Sequence, residues 1–250
     1  MLKSVTPFVA LALSGGLWST CAAATAEPEK EKYQPEVFRY LTFLVGFGAT
    51  PAPDVTEFSK DGAGTTTRYN WQGARKTGYQ GIATLMCGRT LGDGNGIQFG
   101  LDLAFATYDI RPRTFSVAGS SFVNGSPGDL NYRTLGVNVV GGWSYGIRNR
   151  DDLLALITVD AFLGGGLAFA ENELHTVGGS YERANGTGGY YETGLKVGAY
   201  ITEQRWIYGL NVTYTFGQGQ VGMDFDSGYS SKLDLEREGF GITGLMGYRF

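Results

Sequence analysis

Cysteine, proline, histidine and long apolar runs are all scarce in this chain of 250 residues. Two cysteines, Cys21 and Cys87, cannot supply the disulfide framework on which many small secreted domains rely. Seven prolines, and no three-residue glycine period, exclude a collagen-like rod. Repeated runs of about 20 apolar residues, which a helical membrane bundle needs, are missing, and the mean hydropathy is −0.12. A strong excess of one charge is missing too. Twenty basic and 24 acidic residues leave a net charge of −4. That balance lacks the basic stripe of a nucleic-acid-binding surface, so no nucleic-acid partner is expected.

Glycine and aromatics are abundant: 40 Gly, 15 Phe, 15 Tyr and 4 Trp. Each interior glycine weakens a helix by about 1 kcal/mol relative to alanine. So much apolar and aromatic content also argues against disorder. An all-β chain remains, surrounded either by water or by lipid.

The N-terminus reads as a secretory signal peptide. Lys3 precedes the apolar stretch Phe8–Trp18, and Ala24-Thr25-Ala26 forms a small-residue cleavage site. Trp18-Ser19-Thr20 before Cys21 lacks the lipoprotein pattern. Cleavage after about Ala26 removes Lys3 and no acid, leaving 19 basic and 24 acidic residues and only Cys87. Residues 27–36 (EPEKEKYQPE) are charged and carry two prolines; they form a periplasmic lead-in. The domain proper spans 37–250.

Eight segments of that domain alternate with a period of two, the signature of strands with unlike faces. In 97–107, Ile97, Phe99, Leu101, Leu103 and Phe105 oppose Gln98, Gly100, Asp102, Ala104 and Ala106. The segments 191–201, 206–216 and 240–250 repeat the pattern, and 38–48, 132–145 and 153–165 follow it less cleanly. Residues 79–89 are ambiguous in face. Short turns at 90–95, 147–151 and 202–205 alternate with connections at 49–78, 109–130, 170–188 and 217–238 that read as long loops. Short turns on one rim and long loops on the other describe a transmembrane barrel. The fold class expected is all-β, an eight-stranded antiparallel up-and-down transmembrane β-barrel.

The unlike faces decide the solvent. One is aliphatic and aromatic; the other is glycine-rich and carries Asp102, Asp160, Glu192, Lys196 and Arg249. Small residues suit the narrow interior of an eight-stranded barrel. In lipid, strands satisfy their backbone groups only by closing into a ring. The five charged residues are therefore assigned to a polar network in the lumen, as a plug or as an ion path. Tyr40, Tyr108, Tyr132, Trp143, Tyr145, Tyr191, Trp206, Tyr208, Phe216 and Tyr248 are assigned to interfacial girdles.

With its signal peptide, its alternating segments and its terminal Gly239-Phe-Gly-Ile-Thr-Gly-Leu-Met-Gly-Tyr-Arg-Phe250, the chain resembles the small eight-stranded outer-membrane β-barrels. These include the OmpA-like transmembrane domain, OmpX/Ail-type proteins and opacity-type porins. The resemblance implies the outer membrane as location and an outer-membrane lipid and lipopolysaccharide surrounding. It also implies that Met246, Tyr248 and Phe250 are recognised by the barrel-assembly machinery.

No catalytic, metal-binding or cofactor-binding residue is assigned. His175 has Ser180, Glu171 and Glu173 near it in sequence, but the spacing sets no base beside a nucleophile. In Asp224-Phe-Asp226-Ser-Gly228, Tyr229 and Leu235 stand where a calcium loop needs Gly and Glu. Gly92-Asp-Gly94-Asn-Gly96 lies between strands and is a hairpin, not a dinucleotide fingerprint. The acids Asp224, Asp226, Asp234, Glu236 and Glu238 give the fourth loop a negative surface, which divalent cations would hold to lipopolysaccharide. The expected function is an integral outer-membrane barrel with a structural role or a surface-loop interaction with an unidentified extracellular ligand. A narrow porin passing ions or small solutes is the alternative.

Overall fold

The computed structural model describes residues 38–250, apart from 73–74, 92, 112–113, 118–126, 150–151, 176–180 and 227. The expected signal peptide and lead-in lie outside the described residues. Among the described residues eleven strands are present: β1 Phe38–Ala49, β2 Asp54–Lys60, β3 Thr66–Gln72, β4 Arg75–Thr90, β5 Asn95–Arg111, β6 Thr114–Val117, β7 Pro127–Asn149, β8 Asp152–His175, β9 Tyr181–Glu203, β10 Trp206–Asp224 and β11 Ser230–Arg249. Eight of them form a ring in the order β1-β4-β5-β7-β8-β9-β10-β11, and β11 pairs back to β1. Every pairing is antiparallel. The fold is the eight-stranded antiparallel barrel that the alternation indicates.

The three extra strands prolong this wall. Arg75 pairs with Arg111, and Gln72 pairs with Thr114. Both strands advance by three residues, so the β3–β6 ladder keeps the β4–β5 register. β2 lies between β11 and β3, from Asp54↔Glu236 to Lys60↔Ser230 and from Thr56↔Asn70 to Lys60↔Thr66. Among their described residues, the segments 49–78, 109–130, 170–188 and 217–238 are therefore mostly strand, which corrects the long-loop expectation. Their alternation is real but opposite in polarity. Lys232, Asp234, Glu236 and Glu238 interleave with Leu233, Leu235 and Arg237.

Polarity inverts along the barrel for a physical reason. Over one stretch the outer face is apolar on every strand, as in Ile97–Phe105, Tyr191–Ile201, Trp206–Phe216 and Phe240–Phe250. Strands rising about 3.3 Å per residue at a tilt near 40° climb roughly 25–30 Å in eleven residues, which matches an apolar lipid-facing band. Beyond it the outside turns charged, with Asp109–Arg111 and Arg183–Glu173 ion pairs. There the inside becomes an apolar core containing Tyr69, Trp71, Ile110, Leu130, Val221, Met223, Leu233 and Leu235. The distal half is built like a water-soluble barrel; the proximal half is built like a lipid-embedded one.

Several faces are settled by this wall. In 79–89, Tyr79 and Leu85 point outward while Thr84 and Met86 are buried. Leu153 faces inward, because the β7–β8 register shifts between Ile147 and Arg148. Trp143, Tyr145, Tyr191, Trp206, Tyr208 and Phe216 are exposed on the outer face, as expected of girdles. Tyr40, Tyr108 and Tyr132 are corrections: all three are buried inside.

The seam closing the ring is tight. A Cβ on Gly48 of β1 would sit 1.9 Å from the Ile242 carbonyl oxygen of β11, whereas one on Gly222 of β10 meets nothing within 4 Å. We expect Gly48→Ala to cost about 1–3 kcal/mol of unfolding free energy and Gly222→Ala to stay within about 0.5 kcal/mol of the parent. Urea titration of the barrel folded in lipid vesicles checks both.

Candidate functional site

The lumen is filled in layers, and each polar layer is tied across strands. Nearest the short-turn rim, Tyr40, Leu44, Leu153, Leu156, Tyr200, Ile207 and Leu245 pack as an apolar plug. Above it, Lys196 of β9 reaches Asp102 of β5 at 2.9 Å, and both side chains are almost completely buried. The Thr84 hydroxyl donates to Asp102 Oδ1 at 2.6 Å. Asp160, the register partner of Lys196, accepts from Gln98 Nε2 on both oxygens at 2.7 and 2.8 Å. Tyr40 donates to Gln98 Oε1 at 3.0 Å.

A second layer centres on Glu192 and Arg237. Their ion pair measures 2.7 Å. Asn138 Nδ2 donates to Glu192 Oε1 at 2.7 Å. Arg237 Nη2 also donates to the Thr50 hydroxyl, and its guanidinium lies 5.8 Å from the centre of the Tyr108 ring. A cavity of about 20 Å³ beside them, lined in part by Tyr132 and Tyr190, has room for about one water.

A third layer lies in the distal half. Glu57 is fully buried. Its carboxylate accepts from Ser231 Oγ at 2.6 Å, Asn172 Nδ2 at 3.2 Å and Trp71 Nε1 at 3.3 Å. These donors come from β11, β8 and β3, and all are neutral. Burial raises the Glu57 pKa above its ordinary 4.5, with the three hydrogen bonds opposing part of the effect.

Of the five residues assigned to a lumen network, Asp102, Asp160, Glu192 and Lys196 are buried inside. Arg249 sits at the short-turn rim, where it donates to the carbonyls of Leu153 and Gln204 at 3.5 and 3.0 Å. Met246 and Phe250 are exposed on the outer face, and Tyr248 packs edge-on against both Trp206 and Phe250. Sequence reading missed Glu57 and Arg237, which it placed in surface loops. Extending the β11 alternation from Gly241, Thr243 and Leu245 would have turned Arg237 inward. His175 ends β8 opposite Tyr181; Ser180 and the His175 side chain lie outside the described residues. Among the described residues no group of three His, Cys, Asp or Glu is placed to hold a metal.

Chemically, these layers hold strands together. Each buried ion has a partner that offsets the cost of leaving water. The Lys196–Asp102 and Glu192–Arg237 pairs bridge strands that are not neighbours, β9 to β5 and β9 to β11.

No family model matches the chain, and no curated protein matches it. Among solved structures it is similar to the outer membrane protein OprG from Pseudomonas aeruginosa, at 10% identity over 87% of this chain and 97% of that one, with a TM-score of 0.42. It is similar to Ail, the attachment invasion locus protein of Yersinia pestis, at 14% identity over 84% and 98%, with a TM-score of 0.26. It is also similar to the outer membrane protease OmpT from Escherichia coli, at 11% identity over 84% and 97%, with a TM-score of 0.29. The fold assignment rests on the strand pairing itself.

Two predictions follow from the layers. Removing Arg237 alone (Arg237→Ala) strands a buried carboxylate and costs about 3–5 kcal/mol, whereas Glu192→Gln combined with Arg237→Met costs less; urea midpoints in vesicles rank the two. A carboxyl whose pKa is higher in the folded state stabilises the fold fully below its unfolded pKa. That contribution is lost as pH rises through the folded value. The distal half should therefore resist protease best near pH 4 and lose resistance as pH climbs above the ordinary carboxylate range, to an extent that Glu57→Gln reduces.

Proposed function

We propose that the chain is a non-enzymatic integral barrel of the outer membrane, with a closed lumen, that supports the envelope and presents its distal half to the exterior. One observation carries this reading: an unbroken exposed apolar belt encircles all eight strands, around an interior crossed by buried ion pairs. In water such a belt would drive association; in lipid it is the solvated surface. The charged distal wall and the rings at the belt's edges, such as Trp143, Tyr145 and Trp206 on the short-turn side, fit interfacial placement. Lipopolysaccharide and phospholipid are then its lateral neighbours. Phe250, 71% exposed at the end of the last strand, is the residue we assign, with Tyr248 and Met246, to recognition by the barrel-assembly machinery.

Two measurements test the reading. The chain should fractionate with outer membranes as a heat-modifiable band, and deleting Phe250 should reduce that band severalfold without changing synthesis. In planar bilayers the purified barrel should show no steady unitary conductance. Reproducible openings would favour the narrow porin instead.

A further inference from the structure

A closed barrel wall is normally convex outward, yet the outer face of β7–β10 carries a depression of about 440 Å³. On the inner side, the residues that β8 and β9 contribute to the apolar core are small, Ala168, Ala170 and Ala184, while β7 and β10 contribute Leu130, Tyr132, Val221 and Met223. A Cβ on Gly186 would lie 2.3 Å from both the Gly222 carbonyl oxygen and Met223 Cγ, and one on Gly188 would lie 1.7 Å from the Gln220 carbonyl oxygen. The glycines of β9 let it lie close against β10 beneath the groove. On the outside, Gly222 leaves open space, with nothing within 4 Å of a built Cβ.

The polar part of the lining is Asn131, Arg133, Glu171, Asn185, Thr187 and Asp224, exposed except for the half-buried Glu171, whose carboxylate lies 3.9 Å from Arg183. These six side chains offer amide, guanidinium, hydroxyl and carboxylate groups, a mixture of donors and acceptors. Phe169 lies at the lower margin as the register partner of Arg133, and Leu135 and Leu167 pair one step below, on the apolar belt. The groove thus begins where the lipid-facing surface ends. Its volume falls within the roughly 300–1,000 Å³ of small-molecule clefts.

We infer that this groove holds the sugar headgroup of an outer-leaflet glycolipid whose acyl chains lie against the belt below. Sugar hydroxyls donate and accept at once, which suits paired amides and carboxylates. A phosphate placed in the groove would face Glu171 and Asp224 against Arg133, while Arg183 beside Glu171 is already shared between Glu171 and Glu173; three carboxylates against two guanidiniums leave the saccharide portion as the occupant. A free sugar lacks the acyl chains that the belt below Phe169 would hold. The inference rests on the outer-membrane reading, and membrane fractionation tests that reading separately.

The experiment uses the mature barrel in a sugar-free polyoxyethylene detergent, with bound lipid counted by native mass spectrometry. The probes are rough lipopolysaccharide, its deacylated oligosaccharide and phosphatidylethanolamine. Two variants are compared with the parent. Arg133→Ala with Asn185→Ala removes polar partners, and Gly222→Phe fills the groove without removing any; heat-modifiability confirms that each is folded. The parent should retain lipopolysaccharide over phosphatidylethanolamine, and both variants should lose about tenfold or more of that retention, the size expected for losing hydrogen bonds to charged or sugar groups. Equal retention by parent and variants, or equal retention of the two lipids by the parent, overturns the proposal. Oligosaccharide binding as tight as that of the intact glycolipid also overturns it, because the site would then take a free sugar. Failure to fractionate with outer membranes would instead remove the reading on which the inference rests, whatever the binding result.

Discussion

The structure depends on one constraint, the closure of β11 onto β1. Thr42 pairs with Arg249 and Ala49 with Ile242, with no shift between them. Lipid offers no hydrogen bonds to a peptide group, so an open sheet edge in the belt would leave a row of unpaired N–H and C=O groups. Closing eight strands removes that edge and sets the bore to about the width of packed side chains. Once the ring is closed, each residue of a strand faces either outward or into the bore, and the sequence must satisfy both surroundings at every level.

The surroundings change along the barrel, and the side chains change with them. Within the belt the outside meets hydrocarbon, so Leu101, Val137 and Leu210 point out while Asp102, Asn138 and Asn211 are buried inside. Beyond the belt water replaces lipid, and Leu233 and Leu235 turn in while Lys232 and Asp234 pair at the surface. The ion pairs of the lumen add little net stability, because desolvation consumes much of their attraction. Their contribution is geometric: Lys196–Asp102 ties β9 to β5, three strands away in the ring, and Glu192–Arg237 ties β9 to β11 past β10.

The belt was legible in the sequence, and the distal half was not. Period-two alternation located all eight ring strands because their outward residues are bulky and their inward ones small or charged. The same rule failed past Phe105, Tyr191 and Phe216, where it takes apolar residues to mark the outer face. There Tyr108, Tyr132 and Leu235 are apolar and inward, so real strands read as loops or as girdle residues. Glu57 was hidden by a different cause. In β1 the buried positions are even-numbered, such as Tyr40, Thr42 and Leu44; in β2 they are odd, Val55, Glu57 and Ser59. Thr50-Pro51-Ala52-Pro53 lies between them. Its two prolines cannot donate to a ladder, and a slip of one residue exchanges the faces. Extrapolating from β1 puts Glu57 in water; the slip puts it in the core.

A filled bore also limits where recognition can occur. Lys196–Asp102 and Glu192–Arg237 cross it at two levels, and the apolar plug beneath them includes Tyr200 and Leu245. In the closed-lumen reading that we propose, recognition falls to the outer wall or the distal rim. A wall of regular strands is a poor binding surface, because its pleat is convex and repetitive. It offers more where it is indented, as it is over β7–β10. The glycine content that looks like mere permissiveness in the composition therefore has two effects. At Gly48, Gly186 and Gly188 it lets neighbouring strands close tightly, and at Gly222 it leaves the outer surface open.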